Sequence, residues 1–403
     1  MVIGIDASRA NRPHKTGTEW YSFYLIKSLA ALDKTNKYRL YLNSQPQPEL
    51  AAVISGNPNF SFKVLGWSFH SFWTLGRLSL EMLIARPDVL FIPAHTMPFF
   101  SPRKTINTIH DIAFVREQNL YRSRQVKASG YVSRHLINFS VKLLTWGKYH
   151  SESVDYLYWS TAFALRHAGK IITVSNFTKQ EIISLYPKAK AEKIKVIHNG
   201  FNNSLYRPID DIDKIKAVLS RYGLTQPYFL YVGRLEKKKN TPMLIEALAI
   251  LRENETSVKE KLVLIGDASF GYDEVKYAID DFNLENEVIM PGWVNEEDLP
   301  YIFNGASAFI FPSRHEGFGI PLLQAMACGV PIAASDLPVF REVAETAVLY
   351  FDYRSKNAVA SAMKTIATDI ALRQELIAAG RQRAAQFSWE KCARETLQEI
   401  TNW

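Results

Sequence analysis

The chain has 403 residues, of which 47% are hydrophobic and 22% charged, a composition typical of a packed globular protein too long for a single core. No apolar run approaches the roughly 18 residues of a membrane-spanning helix, and the amino terminus has the pattern of a buried strand rather than of a signal peptide. Cys328 and Cys392, the only cysteines, lack the spacing of a disulfide framework or a zinc site, so we expect a cytoplasmic protein.

Charge is divided unevenly along the chain. Residues 1–205 carry 26 Lys and Arg against 12 Asp and Glu, whereas residues 206–403 carry 22 against 28. A basic first half would attract anionic partners such as lipid headgroups or phosphorylated acceptors, and unevenly distributed solubility charge is the alternative. No RNA- or DNA-binding motif accompanies it, so we expect no nucleic-acid partner.

Apolar runs typical of buried parallel strands alternate with helical stretches in both halves of the chain. The strands predicted in the first half are residues 2–8, 38–43, 60–65, 88–93, 105–112, 170–175 and 194–199. Those predicted in the second half are residues 228–233, 261–266, 288–292, 307–313, 331–336 and 348–351. The order predicts an α/β protein with two Rossmann-like, doubly wound parallel sheets, in domains at 1–205 and 206–385, followed by a helix at 386–403. The polar stretch 201–213 is the predicted linker.

Residues 115–169 are rich in Tyr, Trp, Arg and Lys, and two helices are predicted within them, near 131–147 and 153–168. Basic and aromatic side chains mixed in this way are typical of a membrane interface. The alternatives are a helical pair that covers the first sheet and a contact between subunits.

The clearest chemical motif is FPSRHEGFGIPLLQAMACG at 311–329. It predicts a buried strand, a loop at 316–319 and a helix that begins near Pro321. Loops at the carboxyl ends of parallel strands form ligand crevices, and backbone N–H groups at a helix start favour an anion. Glu316 could accept hydrogen bonds from sugar hydroxyls, and capping of the helix is the alternative.

A second motif, YVGRLEKKKN at 231–240, also follows a predicted strand. Arg234 and Lys239 could both reach the same crevice. Two cations directed at a diphosphate would stabilise the negative charge that develops on it when it leaves a sugar. The alternative for this lysine run is a solvated surface.

Two weaker motifs lie in the first half. HKTGTEWY at 14–21 opens a helix after the first strand, and Gly17 would allow a phosphate to approach the backbone. TIHDIAF at 108–114 places His110 and Asp111 at the end of a strand. His110 could bind the sugar or could be an ordinary buried histidine, and Asp111 could orient it or cap the following segment.

Taken in order, these motifs resemble the retaining glycosyltransferases of group 1 or family 4, which have the GT-B fold of two domains facing a central cleft. The resemblance runs over nearly the whole chain. It also includes VSNFTKQEII at 174–183, VIHNGFNNSLYRP at 196–208 and GWVNEEDLPYIFNGASAFIFPS at 292–313.

The resemblance implies roles for the matching positions. Arg234 and Lys239 resemble the diphosphate-binding pair, Glu316 resembles the first carboxylate of the family's motif of two Glu separated by seven residues, and His110 resembles a histidine near the 6-hydroxyl of the sugar. These four are the expected catalytic residues. The expected donor-binding residues are Gly17, Arg234, Lys239, Trp293, Val294, Glu316, Gly317, Phe318, Gly319 and Gln324. The last helix is expected to cross back to the first domain.

Gln324 departs from the family pattern, since the second carboxylate of that motif should stand there to hold the ribose hydroxyls. Gln keeps an acceptor but loses the charge. Donor binding of altered strength is one reading, and a weakly active or partner subunit is another.

The resemblance implies transfer with retention through a front-face displacement, without a catalytic metal or another cofactor. Asp211-Ile212-Asp213 matches the metal-binding DxD of other glycosyltransferases, but it lies at a predicted helix start, where carboxylates complement the dipole. The expected donor is GDP-mannose or a UDP-hexose, and GDP-mannose is favoured because the HDIAF loop resembles that of several mannosyltransferases. The expected acceptor is a saccharide, in the leading reading a polyprenyl-linked one used in surface polysaccharide assembly, with peripheral contact at the inner face of the membrane. A nucleotide-sugar epimerase or sugar phosphorylase on the same fold is the alternative.

Overall fold

The computed structural model describes residues 1–67, 73–118, 153–255 and 257–403. They form two compact units. The first unit comprises Met1–Gly200 together with Trp389–Trp403, and the second comprises Phe201–Ser388.

The first unit is built on a parallel sheet with the strand order β3-β2-β1-β4-β5-β6-β7. Its strands are β1 (Val2–Asp6), β2 (Lys37–Leu42), β3 (Phe60–Val64), β4 (Val89–Ile92), β5 (Thr105–Ile109), β6 (Lys170–Thr173) and β7 (Ile194–Val196). The helices are α1 (Gly17–Leu32), α2 (Pro48–Ile54), α3 (Ser79–Ile84), α4 (Ala113–Arg116), α5 (Ser153–His167) and α6 (Asn176–Leu185). A π-helical turn, Trp73–Leu78, precedes α3, and a 3-10 turn, Ala191–Lys193, precedes β7.

The second unit is built on a parallel sheet with the order β10-β9-β8-β11-β12-β13. Its strands are β8 (Tyr228–Val232), β9 (Lys261–Ile265), β10 (Val288–Gly292), β11 (Ala308–Phe311), β12 (Ile332–Ser335) and β13 (Leu349–Phe351). The helices are α7 (Ile212–Arg221), α8 (Thr241–Asn254), α9 (Tyr272–Asp281), α10 (Leu299–Gly305), α11 (Ile320–Cys328), α12 (Pro338–Ala344), α13 (Lys356–Thr368) and α14 (Ile370–Ala384). A 3-10 turn, Lys237–Lys239, precedes α8.

Helix α15 (Trp389–Thr401) completes the first unit. It packs along α1, where the ring of Trp389 stacks on Tyr24 at 5.7 Å between centroids. At the other end of α15, the ammonium of Lys170 donates to the carbonyl of Glu399 at 2.9 Å and also to that of Asn402. A cation beside the last carbonyls of a helix satisfies acceptors that have no partner within it.

Both sheets are doubly wound, as predicted. Strands such as β4 and β11 are fully buried because helices cover both faces of a parallel sheet. All the predicted strands are present, with ends shifted by a few residues, and α5 occupies the predicted helix near 153–168. The helix predicted near 131–147 lies outside the described residues. Within the described part of the chain, no helix is long and apolar enough to cross a membrane.

Candidate functional site

The strand order of the second sheet reverses between β8 and β11. From β8 the chain moves outward to β9 and β10, and it then returns to build β11 on the other side of β8. The loops that follow these neighbouring strands, residues 233–240 and 312–319, therefore leave the sheet side by side. Ligands of doubly wound proteins bind outside the carboxyl ends of strands at such a reversal.

Lys239 and Glu316, one from each loop, form an ion pair in which the ammonium contacts Oε1. The hydroxyl of Ser313 donates to the same oxygen at 2.8 Å. The ammonium also lies 5.7 Å from the centroid of the Phe311 ring. None of the described residues donates to Oε2 of Glu316, so this oxygen can accept hydrogen bonds from the hydroxyls of a ligand.

Glu316 is buried and ionised. Burial alone would raise the pKa of this carboxyl, but Lys239 and Lys238, together with the hydrogen bonds from Lys239 and Ser313, outweigh it and hold the pKa below its usual value. The side chain is therefore an anion throughout the neutral range. It is bound to Lys239 and Ser313 rather than to the first turn of α11, which disfavours the capping alternative.

Helix α11 begins at Ile320, directly after the 316–319 loop, with Pro321 in its first turn as predicted. Gly319 has a φ of +92°, and a Cβ built there would lie 2.9 Å from the ring of Phe340. Both the backbone and the space therefore require glycine. Gly317 and Phe318 are buried, and the ring of Phe318 meets that of Phe387 edge-on at 5.8 Å.

Arg234 lies in the same loop as Lys239, five residues earlier. Its carbonyl accepts a hydrogen bond of 3.0 Å from the hydroxyl of the buried Tyr231. The preceding turn is tight, because a Cβ on Gly266 would stand 2.0 Å from the carbonyl oxygen of Gly233. Close contact between the turns after β8 and β9 thus fixes the backbone of Arg234, whose side chain is half-buried.

The other expected donor residues of this unit lie further along the same edge or on α11. Exposed Trp293 and buried Val294 follow β10, which is separated from β11 by two strands. With strands about 4.8 Å apart, the ends of β10 and β11 are about 14 Å apart, so only an extended ligand could contact both. Gln324 lies on the half-exposed side of α11.

In the first unit, Gly17 is the first residue of α1 and is exposed, and a Cβ built on it would meet nothing within 4 Å. The protein's own packing therefore does not explain the glycine. The same helix start already holds a carboxylate, because Glu19 accepts from the backbone N–H of Thr16 at 3.3 Å and pairs with Arg9 at 3.0 Å. An anion bound at this helix start would lie close to that charge.

His110 follows β5 and is neutral near pH 7. Burial and the neighbouring His95 lower the pKa of His110 to about 4, although a hydrogen bond to the carbonyl of Pro93 opposes them. Because a carbonyl can only accept, Nε2, which lies 3.0 Å from it, carries the proton and Nδ1 is an acceptor. The ring meets that of Tyr21 edge-on at 4.7 Å. The side chain of Asp111 accepts from the backbone N–H of Ala113 at 3.3 Å, at the start of α4, and its carbonyl lies 2.6 Å from Nε2 of His95.

The DxD-like sequence lies at a helix start. The side chain of Asp211 accepts from the backbone N–H of Lys214 at 3.0 Å and caps α7, and Asp213 lies in the first turn. This is the arrangement expected of carboxylates that complement a helix dipole. Within the described residues, no group of three or more His, Cys, Asp or Glu side chains could hold a metal ion.

The part of the basic and aromatic segment that the structure describes packs within the first unit. In α5, Trp159 stacks on Phe163 at 5.4 Å, Tyr158 stacks on Tyr186 at 5.2 Å, and the hydroxyl of Tyr156 lies 3.1 Å from that of Thr96. These rings cover the first sheet, which was one of the alternatives. The rest of the segment, residues 119–152, lies outside the described residues.

Sequence reasoning did not identify Ser313, whose hydroxyl donates to Glu316, nor Arg314 and Asn240, whose side chains are joined by a hydrogen bond of 3.0 Å. Ser313 and Arg314 lie inside the motif around Glu316, and Asn240 ends the motif that carries Lys239, so their positions in the chain were the available clue. The direct pairing of Lys239 with Glu316 was also unforeseen, since both were expected to contact a ligand rather than each other.

Two family models match the chain. Residues 16–205 match the Glycosyltransferase Family 4 model, and residues 212–383 match the model of Glycosyl transferases group 1. Together they extend over both units.

Among curated proteins, the O-antigen chain mannosyltransferase B of Escherichia coli is 29% identical over 387 residues, which cover 95% of each chain. The O-antigen chain mannosyltransferase RfbU of Salmonella typhimurium is 25% identical over 78% of this chain and 74% of its own. Among solved structures, sucrose-phosphate synthase from Thermosynechococcus elongatus superposes with a TM-score of 0.72 at 20% identity, covering 98% of this chain and 97% of its own. WaaG, a glycosyltransferase involved in lipopolysaccharide biosynthesis, does so with a TM-score of 0.71 at 14% identity over the whole of both chains. The chain therefore belongs to the group 1 and family 4 glycosyltransferases and has their GT-B fold.

Proposed function

We propose that this glycosyltransferase moves mannose from GDP-mannose to a hydroxyl of a saccharide acceptor, with retention of configuration and without a catalytic metal. The observation that carries the proposal is the Lys239–Glu316–Ser313 cluster at the strand reversal of the second sheet. The choice of mannose is supported by the O-antigen chain mannosyltransferase that matches over 95% of this chain. An acceptor used in surface polysaccharide assembly is supported by the same relative, whose name refers to the O-antigen chain, and the proposed acceptor is a polyprenyl-linked saccharide.

The proposed reaction is a displacement on one face of the sugar. The acceptor oxygen forms a bond to the anomeric carbon as the bond to the diphosphate oxygen breaks, and the hydroxyl proton passes to the departing phosphate. Arg234 and Lys239 would stabilise the charge that develops on that phosphate. Glu316 would bind sugar hydroxyls through Oε2. Its ion pair and its hydrogen bond argue against a nucleophilic role.

His110 would serve as a neutral acceptor. With Nε2 donating to Pro93, its Nδ1 can accept a hydrogen bond from a sugar hydroxyl, as the family role for this position requires. Gly17 would present backbone N–H groups to the phosphates. Trp293 and Val294 would lie beside the base, and Gln324 would hold the ribose through its amide.

The test is mannosyl transfer from GDP-mannose to an alkyl α-mannoside, measured as GDP release and as product anomer by NMR. Removing one electrostatic contact of a transition state costs about 10²- to 10³-fold in kcat, so Arg234→Ala and Lys239→Ala should each lose that much. Lys237→Ala is the matched control, because Lys237 lies in the same turn but pairs with Glu274 at 2.9 Å on the surface. Near-normal kcat in Arg234→Ala and Lys239→Ala, or an inverted product, would contradict the proposal.

The identity of the donor is tested separately by thermal shift. GDP should raise the melting temperature more than UDP or ADP at equal concentration, because a ligand that binds only the folded state stabilises it. A larger shift with UDP would indicate that the donor is a UDP-hexose and not GDP-mannose. The proposed reaction class would be unaffected.

We also propose peripheral contact with an anionic membrane through α3. Leu80, Leu83 and Ile84 on this helix are 51%, 59% and 81% exposed. The buried carboxylate of Glu81, on the same helix, pairs with both Lys63 and Arg77, so two cations lie beside one carboxylate at this apolar helix. Apolar side chains bordered by cations favour the surface of an anionic bilayer.

Sedimentation with vesicles of phosphatidylglycerol and phosphatidylcholine tests this contact. Leu83→Ser with Ile84→Ser should reduce binding, whereas Ile370→Ser should not, although Ile370 is 70% exposed in the second unit. Equal vesicle binding by the unaltered protein and by both variants would contradict a membrane contact through α3.

A further inference from the structure

A buried asparagine follows Lys239 directly. Asn240 has a left-handed backbone conformation, with φ +57° and ψ +31°, and is 3% exposed. Asparagine adopts this conformation more readily than most residues with a Cβ. Asn240 ends the Lys237–Lys239 turn and immediately precedes α8, so its backbone determines how the turn that carries Lys239 joins the helix.

Both ends of the Asn240 amide are hydrogen-bonded. Its Nδ2 donates to the carbonyl of Tyr353 at 3.0 Å, and its Oδ1 accepts from Nε of Arg314 at 3.0 Å. The backbone N–H of Arg314 in turn donates to the carbonyl of Lys238 at 3.0 Å. One side chain therefore joins the loops after β8, β11 and β13, one residue from Lys239 and close in the chain to Glu316.

We infer that Asn240 is a positioning residue that holds Lys239 where the diphosphate of the donor binds. The inference rests on the proposed function, because Lys239 is the group that Asn240 would position. The amide is buried and already bonded to backbone and to Arg314, so it acts on the geometry of the turn and not on the ligand. Small displacements matter here, since a misplacement of about 1 Å can cost about a hundredfold in rate.

Calorimetric titration with GDP and GMP separates positioning from general stability. GMP lacks the second phosphate that Lys239 is proposed to bind, so its affinity should be insensitive to the position of Lys239. Asn240→Gly allows the left-handed backbone and removes both side-chain bonds. We expect it to weaken GDP binding about tenfold, as for the loss of one charge-assisted hydrogen bond, with GMP affinity changed less than about twofold.

Asn283→Gly is the matched control, because Asn283 has a φ of +53° but lies in an exposed turn after α9. It should change neither affinity. Asn240→Asp, which keeps the acceptor for Arg314 but places an oxygen against the carbonyl of Tyr353, should give an intermediate loss and serves if the glycine variant unfolds. In the Lys239→Ala background, Asn240→Gly should cause no further loss of GDP binding.

Equal weakening of GDP and GMP, or an undiminished effect in the Lys239→Ala background, would show that Asn240 is merely structural. Unchanged GDP affinity in both Asn240 variants, while Lys239→Ala weakens it, would refute the positioning role and leave the proposed function standing. Unchanged GDP affinity in Lys239→Ala, or no binding of either GDP or UDP, would refute the proposed function and the positioning role with it.

Discussion

Replacing Glu316 with Gln should destabilise the second unit, because it leaves the ammonium of Lys239 without its counter-charge. The two side chains are 10% and 16% exposed, so neither charge is well solvated. Removing one partner of a buried ion pair costs about 3–5 kcal/mol. Since Lys239 keeps a little contact with water, we expect the lower end of that range, about 3 kcal/mol.

Scanning calorimetry measures this cost. For a unit the size of Phe201–Ser388, each kcal/mol corresponds to a shift of about 2–4 °C in Tm, so Glu316→Gln should lower the transition of this unit by about 6–12 °C. Lys239→Met keeps an unbranched side chain of similar length and should destabilise for the reciprocal reason, since the carboxylate of Glu316 then loses its cation. Removing both charges together leaves no unpaired charge, so the double variant should be more stable than the sum of the two single losses predicts.

Additive losses in the double variant would refute this reasoning. So would a shift below about 2 °C for Glu316→Gln, since that is less than 1 kcal/mol. Either result would mean that Lys239 and Glu316 are separately solvated in solution and that their contact contributes nothing to folding.

Three further outcomes are expected. Gly17→Ala should leave the melting temperature unchanged, because its Cβ meets nothing, but should weaken nucleotide binding, whereas Gly319→Ala, with φ +92°, should destabilise the fold. Calorimetry and GDP titration distinguish the two variants. Normal GDP binding by Gly17→Ala would contradict the role of Gly17. His110, with its pKa lowered to about 4, should stabilise the protein fully above its unfolded pKa of about 6.5 and progressively less as the pH falls towards 4, so the pH dependence of Tm should be shallower in His110→Gln. Asp211→Ala should cost about 1 kcal/mol as a lost helix cap and, like Asp213→Ala, leave transfer unchanged in the presence of EDTA; loss of transfer in either variant would point to a metal role.

The strands of both sheets could be predicted because continuous apolar runs between polar loops are specific to strands covered on both faces. Strand ends were less accurate. The run at 105–112, for example, ends as a strand at Ile109, where His110 turns away to bond Pro93. Apolarity continues past the end of a strand, whereas the ladder of hydrogen bonds does not.

Contacts between distant loops could not be read from the sequence. Parallel topology places the loops after β8 and β11 side by side, so the proximity of Lys239 and Glu316 follows once the strand order is known. Whether Lys239 and Glu316 pair with each other depends on the directions of their side chains, which the spacing of residues in the sequence does not determine. The same holds for the contacts of Ser313 and Asn240. The exposed apolar face of α3 was missed for a different reason, because six residues after a π-helical turn are too few to show a helical period.

Residues 389–403 complete a unit whose other part was made at the opposite end of the chain. Until they leave the ribosome, α1 lacks the ring of Trp389, which packs against Tyr21 and Tyr24 in the folded unit. The nascent first unit thus carries uncovered aromatic surface throughout synthesis of the second, a situation that invites aggregation. A fragment that ends at residue 200 would lack the packing of Trp389 on α1 altogether. Adding α15 as a peptide, or through a fused linker, should restore it.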